Sequence, residues 1–368
     1  MRIVQLIYSL TGGGAERFTV DLANELSKNN EVYLLLIVRK DKKGASFYLN
    51  DVSPKVNIIN LGLEKGLTVK AFPKVISAIK EIKPDVVNAH LNTIVYLFPL
   101  AILFPKIKLF HTLHNPAEKC TGVKGQDVFN RLFYKRMIQP ITISQLSHES
   151  YVKYYGRENA VLIDNGRSKP NTTTLLSAVT QEIAQYKNSH HDKVFIHVAR
   201  CHEQKNQTML IRVFNRLLSE KRQVILLICG LGFDTTELGH ELKAMAQEKG
   251  IYFLGAKSNI ADYLANSDCF ILSSHWEGLP ISLLEAMAYG LVPITTPAGG
   301  IPSVVTNGYD GVISNGMSDE SLYDAIVSYL DGNVKIESKN IVATFEEKYS
   351  MTKCANLYLD LYKKKMQE

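Results

Sequence analysis

The chain reads as two series of alternating strands and helices separated by one polar lapse, and that alternation restricts its fold more than any other feature. Residues 2–8, RIVQLIY, form a continuous apolar run, which predicts a strand buried on both faces of a parallel sheet. A Gly-rich turn follows, then a segment with Phe18, Leu22 and Leu26 on one helical face. EVYLLLIV, VNIINL, DVVNAH, IKLFHTL and ITIS predict further strands, and FPKVISAIKEIK a helix between two of them. Such a path closes by right-handed crossovers into a doubly wound sheet.

After IDNG at 163–166 the alternation lapses in SKPNTTT and then restarts. KVFIHVAR, QVILLICG, GIYFLG, CFILSS and VPITT predict strands, with helices near 206–220 and 236–248 and another from about 280. Two complete series predict an α/β protein of two Rossmann-like domains, 1–168 and 169–345, with the cleft between them as the default binding site. Residues 346–368 carry Tyr349, Leu357, Leu361 and Tyr362 at loosely helical spacing and predict a terminal helix.

Composition excludes little but is consistent. Apolar content of 46% and charged content of 21% are ordinary for a water-soluble globular chain. The longest apolar stretch, 94–104, is shorter than a membrane span and contains Pro99, so a buried helix is expected. The amino end shows no secretory pattern, and five scattered cysteines without C-x-x-C spacing suit reduced thiols in the cytoplasm. Residues 1–169 carry net charge +10 and residues 170–368 carry −4. A basic first half suits an anionic membrane surface or an acidic acceptor as well as a plainly solvated lysine-rich surface.

The chemistry concentrates in SSHWEGLPISLLEAMAYGLVPITTPAGGIP, beginning at Ser273. A strand ends at Ser274, and the loop HWEGLP leads into a helix with Pro280 suited to its first turn. Free N–H groups and the helix dipole at such a junction favour an anion, and Gly278 lets backbone approach it closely. Glu277 and Glu285 are carboxylates able to accept hydrogen bonds from sugar hydroxyls; by itself Glu285 reads as an ordinary dipole-stabilising glutamate. Arg200 and Lys205 follow another strand of the same half, two cations suited to one diphosphate.

These residues resemble retaining glycosyltransferases of family 4, which have the GT-B fold. EGLPISLLEAMAYGLVPI is similar to the family's E-x7-E signature, GGGAERFTVDLANEL to its first Gly-rich turn and helix, and FIHVARCHEQKN to its Arg-x4-Lys segment. ITISQLSHESYVKYYG, IDNG and ICGLG continue the register over nearly the whole chain. The resemblance implies an acceptor-binding domain at 1–168, a nucleotide-sugar-binding domain at 169–345, and a last helix returning to the first domain. It implies that Arg200 and Lys205 bind the donor diphosphate, Glu285 the ribose and Glu277 the transferred sugar. Gly278, Leu279, Pro280 and Ile281 would contact sugar and phosphate, and Gly230 would lie in the next glycine turn. Gly13 and Gly14 would face the diphosphate across the cleft. His111 in HTLHN would sit near the reacting carbon, with His114 as its competitor for that place.

No D-x-D pair occurs, so a metal-independent reaction without a cofactor is expected, the two cations and a helix dipole neutralising the diphosphate. The donor implied is a nucleotide diphosphate sugar, a UDP-sugar on family grounds. The acceptor implied is a saccharide or lipid-linked saccharide in bacterial surface polysaccharide or glycolipid synthesis, at the inner face of the membrane. A sugar-nucleotide epimerase of the same architecture and a non-catalytic nucleotide-sugar-binding protein are the alternatives; no nucleic-acid partner is implied. Two residues depart from the pattern: Ser303 stands where the family has Glu after GGIP, and Arg167 where it has an aliphatic residue.

Overall fold

The computed structural model describes residues 1–38, 45–64, 69–120 and 125–368. The chain divides into two compact units, Met1–Ser168 with Lys348–Glu368, and Lys169–Glu347.

The first unit is built on β1 (Arg2–Ile7), β2 (Glu31–Val38), β3 (Val56–Leu63), β4 (Val86–His90), β5 (Lys108–Leu113), β6 (Ile138–Thr142) and β7 (Val161–Leu162). Their order is β3-β2-β1-β4-β5-β6-β7, every pairing parallel. Helices α1 (Gly14–Leu26), α2 (Ala71–Ile82), α3 (Leu97–Leu103), α4 (Gln126–Phe133) and α5 (Gln145–Tyr155) connect them. β1 shows why its run is mostly apolar: Val4 and Leu6 enter one core with residues of α2, α3 and α4, whereas Ile3 and Ile7 enter the opposite core with α1. A two-residue side-chain period places neighbours on opposite faces, so a sheet covered twice needs apolar residues on both, and a buried polar one such as Gln5 needs a hydrogen-bond partner, here His90.

The second unit holds α6 (Leu176–Tyr186), β8 (Lys193–Val198), α7 (Gln207–Ser219), β9 (Val224–Cys229), α8 (Glu237–Met245), β10 (Ile251–Gly255), α9 (Ile260–Ala265) and β11 (Cys269–Leu272). It continues through α10 (Ile281–Ala288), β12 (Val292–Thr295), α11 (Ile301–Val304), β13 (Val312–Ile313), α12 (Asp319–Leu330) and α13 (Ser338–Thr344). The strand order is β10-β9-β8-β11-β12-β13, again parallel.

α14 (Met351–Gln367) belongs to the first unit and covers the α1 face of its sheet. Tyr358 lies 6.1 Å from Phe18 between ring centres, Tyr362 4.6 Å from Phe110, and Thr112 Oγ1 meets Tyr358 Oη at 3.1 Å. Leu357 corrects the expected face: it is 39% exposed, and Cys354, Tyr358, Leu361 and Tyr362 form the buried stripe instead. Stretch 94–104 also differs from a buried helix. Leu97, Leu100 and Ala101 of α3 are buried, but Ile102 and Leu103 are 68% and 55% exposed. A helix lying on a sheet buries one stripe, and a 3.6-residue period turns these two outward.

Arg167 gains a structural account. Its guanidinium bonds Asp21 of α1, both side chains are buried, and Arg17 reaches the other Asp21 oxygen at 3.0 Å. Its backbone pairs with the segment leading into α14, Arg167 N donating to Tyr349 O at 2.7 Å and Met351 N to Arg167 O at 3.1 Å. An aliphatic residue at 167 would leave Asp21 with one cation instead of two.

Candidate active site

Each sheet reverses its order once, between β1 and β4 and between β8 and β11, and loops leave these strand pairs in opposite directions. A crevice forms at the carboxyl ends of such a pair, where α/β proteins bind ligands. Arg200 and Lys205 follow β8, and Glu277 and Gly278 follow β11. Lys205 and Glu277 are 72 apart in sequence, yet adjacency of the two strands makes their loops one surface.

Lys205 Nζ lies 2.6 Å from Glu277 Oε1, with both side chains largely buried. The same oxygen accepts from Ser274 Oγ at 2.6 Å. Backbone bonds hold the loops together: Ser273 Oγ donates to Lys205 O at 2.9 Å, His275 N to Gln204 O at 2.8 Å, and Gln204 Nε2 to Trp276 O at 2.9 Å. Arg200, exposed, stands on the same loop, whose backbone Gln207 Nε2 holds by donating to Arg200 O at 2.9 Å. Beneath it, His197 donates Nδ1–H to Ile271 O at 2.9 Å, and burial lowers its pKa to about 4, so the ring is neutral.

The glycines divide by what surrounds them. A Cβ on Gly299 would lie 2.0 Å from Glu277 O, on Gly300 2.1 Å from Gly278 O, and on Gly230 1.9 Å from Ala199 O. Those three are required by close backbone approach. A Cβ on Gly278 meets nothing within 4 Å, so packing leaves that space open. Leu279 is half-buried and Pro280 buried; Pro280 immediately precedes α10 in an extended conformation, outside the first turn that its sequence suggested. Ile281 opens α10, and Glu285 lies within it, 8% exposed. Ser303 follows in α11, its hydroxyl bonded to Gly300 O at 2.7 Å.

In the first unit the β1 loop carries Gly13, just before α1, and Gly14, its first residue. Glu16 folds back over this turn: a Cβ on Gly13 would come within 2.3 Å of Glu16 Oε2, and Thr11 Oγ1 donates to Glu16 Oε1 at 2.6 Å. A carboxylate there is favoured by the helix dipole.

The two histidines of HTLHN differ in burial. His111 is wholly buried on β5; Nε2 donates to Leu91 O at 2.7 Å, so Nδ1 accepts from Tyr134 Oη at 2.5 Å. Burial lowers its pKa to about 4. Both of its nitrogens are occupied. His114 is half-buried just past the strand end. With Gln5 Oε1 accepting from His90 Nε2 at 2.8 Å, His90 Nδ1 accepts from His114 Nε2 at 2.9 Å. His114 Nδ1 remains as the lone pair of this chain of contacts. Spacing could not distinguish the two histidines, because it does not say where β5 ends: His111 lies within the strand and His114 one residue past it. Leu91, whose carbonyl fixes His111, has φ of 55°, a conformation uncommon for leucine.

Comparison with known proteins matches this architecture. Residues 12–168 match the family described as Glycosyltransferase Family 4, and 179–344 the family described as Glycosyl transferases group 1. HepE of Anabaena, solved with UDP and glucose, covers 99% of this chain and all of its own at a TM-score of 0.73 and 20% identity, a likeness of fold. The two-sheet architecture is GT-B. The chain belongs to glycosyltransferase family 4. It is 28% identical over 250 residues to an uncharacterized glycosyltransferase of Methanocaldococcus jannaschii, 62% of this chain and 59% of that one. It is 31% identical over 179 residues, 46% of each chain, to the UDP-Gal:alpha-D-GlcNAc-diphosphoundecaprenol alpha-1,3-galactosyltransferase of Escherichia coli. The matched segments thus span about half the length of these relatives.

Proposed function

We propose that the chain transfers a hexose-type sugar, with retention and without a metal, from a UDP-sugar to a saccharide or lipid-linked saccharide in surface polysaccharide or glycolipid synthesis. The observation that carries this reading is the Lys205–Glu277 pair beside the open space at Gly278. Arg200 and Lys205 neutralise the diphosphate as charge grows on the leaving oxygen, a role worth a few kcal/mol for a positioned donor. Glu277 accepts from hydroxyls of the transferred sugar, and Glu285 from the ribose. Amides of Gly278, Leu279 and Ile281 meet phosphate and sugar, with Pro280 fixing the turn and Gly230, Gly299 and Gly300 permitting the loops' approach. On the family pattern Gly13 and Gly14 contact the diphosphate, and a histidine of HTLHN, His111 or His114, contacts the reacting carbon.

The acceptor oxygen bonds to the anomeric carbon as that carbon's bond to the diphosphate oxygen breaks, and the acceptor proton passes to the departing phosphate. The lipid-linked acceptor named for the Escherichia coli relative and the basic first half support the choice of acceptor class. Titrating a panel of nucleotide sugars into the full chain and following thermal unfolding tests the donor, since a ligand of the folded state raises the melting temperature. A UDP-sugar should protect and Arg200→Ala with Lys205→Ala should abolish protection. Transfer by that double variant at the original rate, or EDTA inactivation reversed by Mg²⁺, overturns the mechanism.

A further inference from the structure

Helix α4 is turned inside out. Its sequence QDVFNRLF buries Gln126, Asn130 and Phe133, while Val128, Phe129 and Leu132 are 64%, 53% and 64% exposed. The inward amides are engaged, Asn130 Nδ2 donating to Tyr155 Oη at 3.1 Å and Gln126 Nε2 to Cys120 O at 3.3 Å. The hydrogen bonds therefore fix the helix in this orientation, and among the described residues its outward apolar stripe stays more than half exposed. α3 extends that stripe. Phe98 of α3 stacks on Phe129 and Phe133 of α4 at 5.6 and 4.8 Å, and α3 ends on the exposed Ile102 and Leu103. Met137, 44% exposed, lies just past α4, its N–H bonded to Phe133 O.

Cations lie beside the stripe. Lys106 and the pair Lys135–Arg136, all exposed, sit on the loops that leave α3 and α4. Lys108, Lys135, Arg136 and Lys365 line a pocket of about 340 Å³ that also contains Ala101, Pro105 and Met137, so apolar stripe and cationic pocket adjoin. The acids on these segments are Asp127 and Glu368, the latter paired with Lys365 at 2.6 Å.

We propose that this face of the first unit docks on an anionic lipid bilayer, α3 and α4 inserting Ile102, Leu103, Val128, Phe129 and Leu132 to headgroup depth while Lys106, Lys135 and Arg136 meet lipid phosphates. Charge complementarity selects this occupant: apolar side chains beside cations suit an interface that is apolar below and anionic above. A second copy of the same face would set these cations against each other. The inference is independent of the transfer chemistry, and its test reads no catalysis.

Flotation of the full chain with phosphatidylcholine vesicles, with and without 30% phosphatidylglycerol, is the experiment. The chain should float with the anionic vesicles and stay in solution with the neutral ones. Phe129→Ser with Leu132→Ser should lower partition on the order of tenfold or more, with the fold retained because both residues are more than half exposed and only the Phe98–Phe129 stack is lost. Lys135→Glu with Arg136→Glu should lower it similarly, since each cation near such a surface contributes roughly a fivefold factor, and it provides the test should the first pair lose solubility. Equal flotation of wild type and both variants overturns the proposal. So does a concentration-dependent dimer in sedimentation that Phe129→Ser with Leu132→Ser abolishes while vesicles leave the wild type in solution.

Discussion

Lys205 and Glu277 form one ion pair, at 2.6 Å, so the cation suited to a phosphate and the carboxylate suited to a sugar hold each other in place. Ser274 bonds the same carboxylate oxygen, which fixes its rotamer. Removing the lysine leaves a buried carboxylate without its cation. Lys205→Ala should therefore cost about 2–4 kcal/mol of stability as well as lowering transfer at least a hundredfold. Lys205→Arg should recover most of the stability and little of the transfer. Chemical denaturation beside initial rates checks both, and a Lys205→Ala protein of unchanged stability would show that the pair does not hold the loops.

The two histidines of HTLHN should separate by what they damage. His111→Phe removes the acceptor of Tyr134 and the donor to Leu91 inside the core, an expected loss of about 2–3 kcal/mol. His114→Ala lies at the strand end and should lower turnover tenfold or more with a much smaller change in melting temperature. The contrast is read by comparing kcat and Tm of the two variants, and the reverse pattern would return His111 to the reacting centre.

The glycines make a similar pair. Gly300→Ala drives a methyl group to 2.1 Å from Gly278 O and should both destabilise the unit and impair donor binding. Gly278→Ala has open space around it and should leave Tm within about 1 °C, an effect below roughly 0.5 kcal/mol. Its donor affinity should nevertheless fall, because the methyl group occupies the space given to ligand. Calorimetric titration with the donor found by thermal protection measures it.

Arg167→Leu restores the aliphatic residue usual at that position and should be destabilising here, by about 3 kcal/mol, because it strips Asp21 of one of its two cations. The double variant Arg167→Leu, Asp21→Leu should recover part of the loss, since replacing both partners of a buried pair removes the uncompensated charge. Additive losses in the double variant would mean that the two side chains do not interact.

Acid should unfold this protein through its histidines. His90 is held far below 6.5 by burial and by neighbouring His114, while burial holds His111 and His197 at about 4. An unfolded histidine takes up a proton near pH 6.5 and the folded ones do not. Stability is therefore fully present above about pH 7 and declines as pH falls from 6.5 towards 4, by about 1.4 kcal/mol per pH unit for each histidine. Two of these three lie in the first unit, so its transition should move to lower denaturant first. Urea titrations at pH 7.5, 6 and 5 test this, and constant stability across them would contradict the neutral, buried assignment.

Sequence periodicity was enough for the two strand–helix series, because a strand buried on both faces is apolar at nearly every position and such runs are visible at Ile3–Ile7, interrupted only by Gln5, and at Val224–Cys229. Motif spacing brought Arg200, Lys205, Glu277 and Glu285 to notice. It could not say that Lys205 touches Glu277, since that contact depends on β8 lying beside β11 rather than on any interval along the chain. Nor could it foresee that His111 is enclosed within β5, or that α4 turns Asn130 inward and Phe129 outward. Local composition determines which segments become strands and helices, because hydrophobic period is a property of neighbours. Which side chains meet is decided by strand order and by the hydrogen bonds that buried polar groups must make, and both exist only in the folded chain.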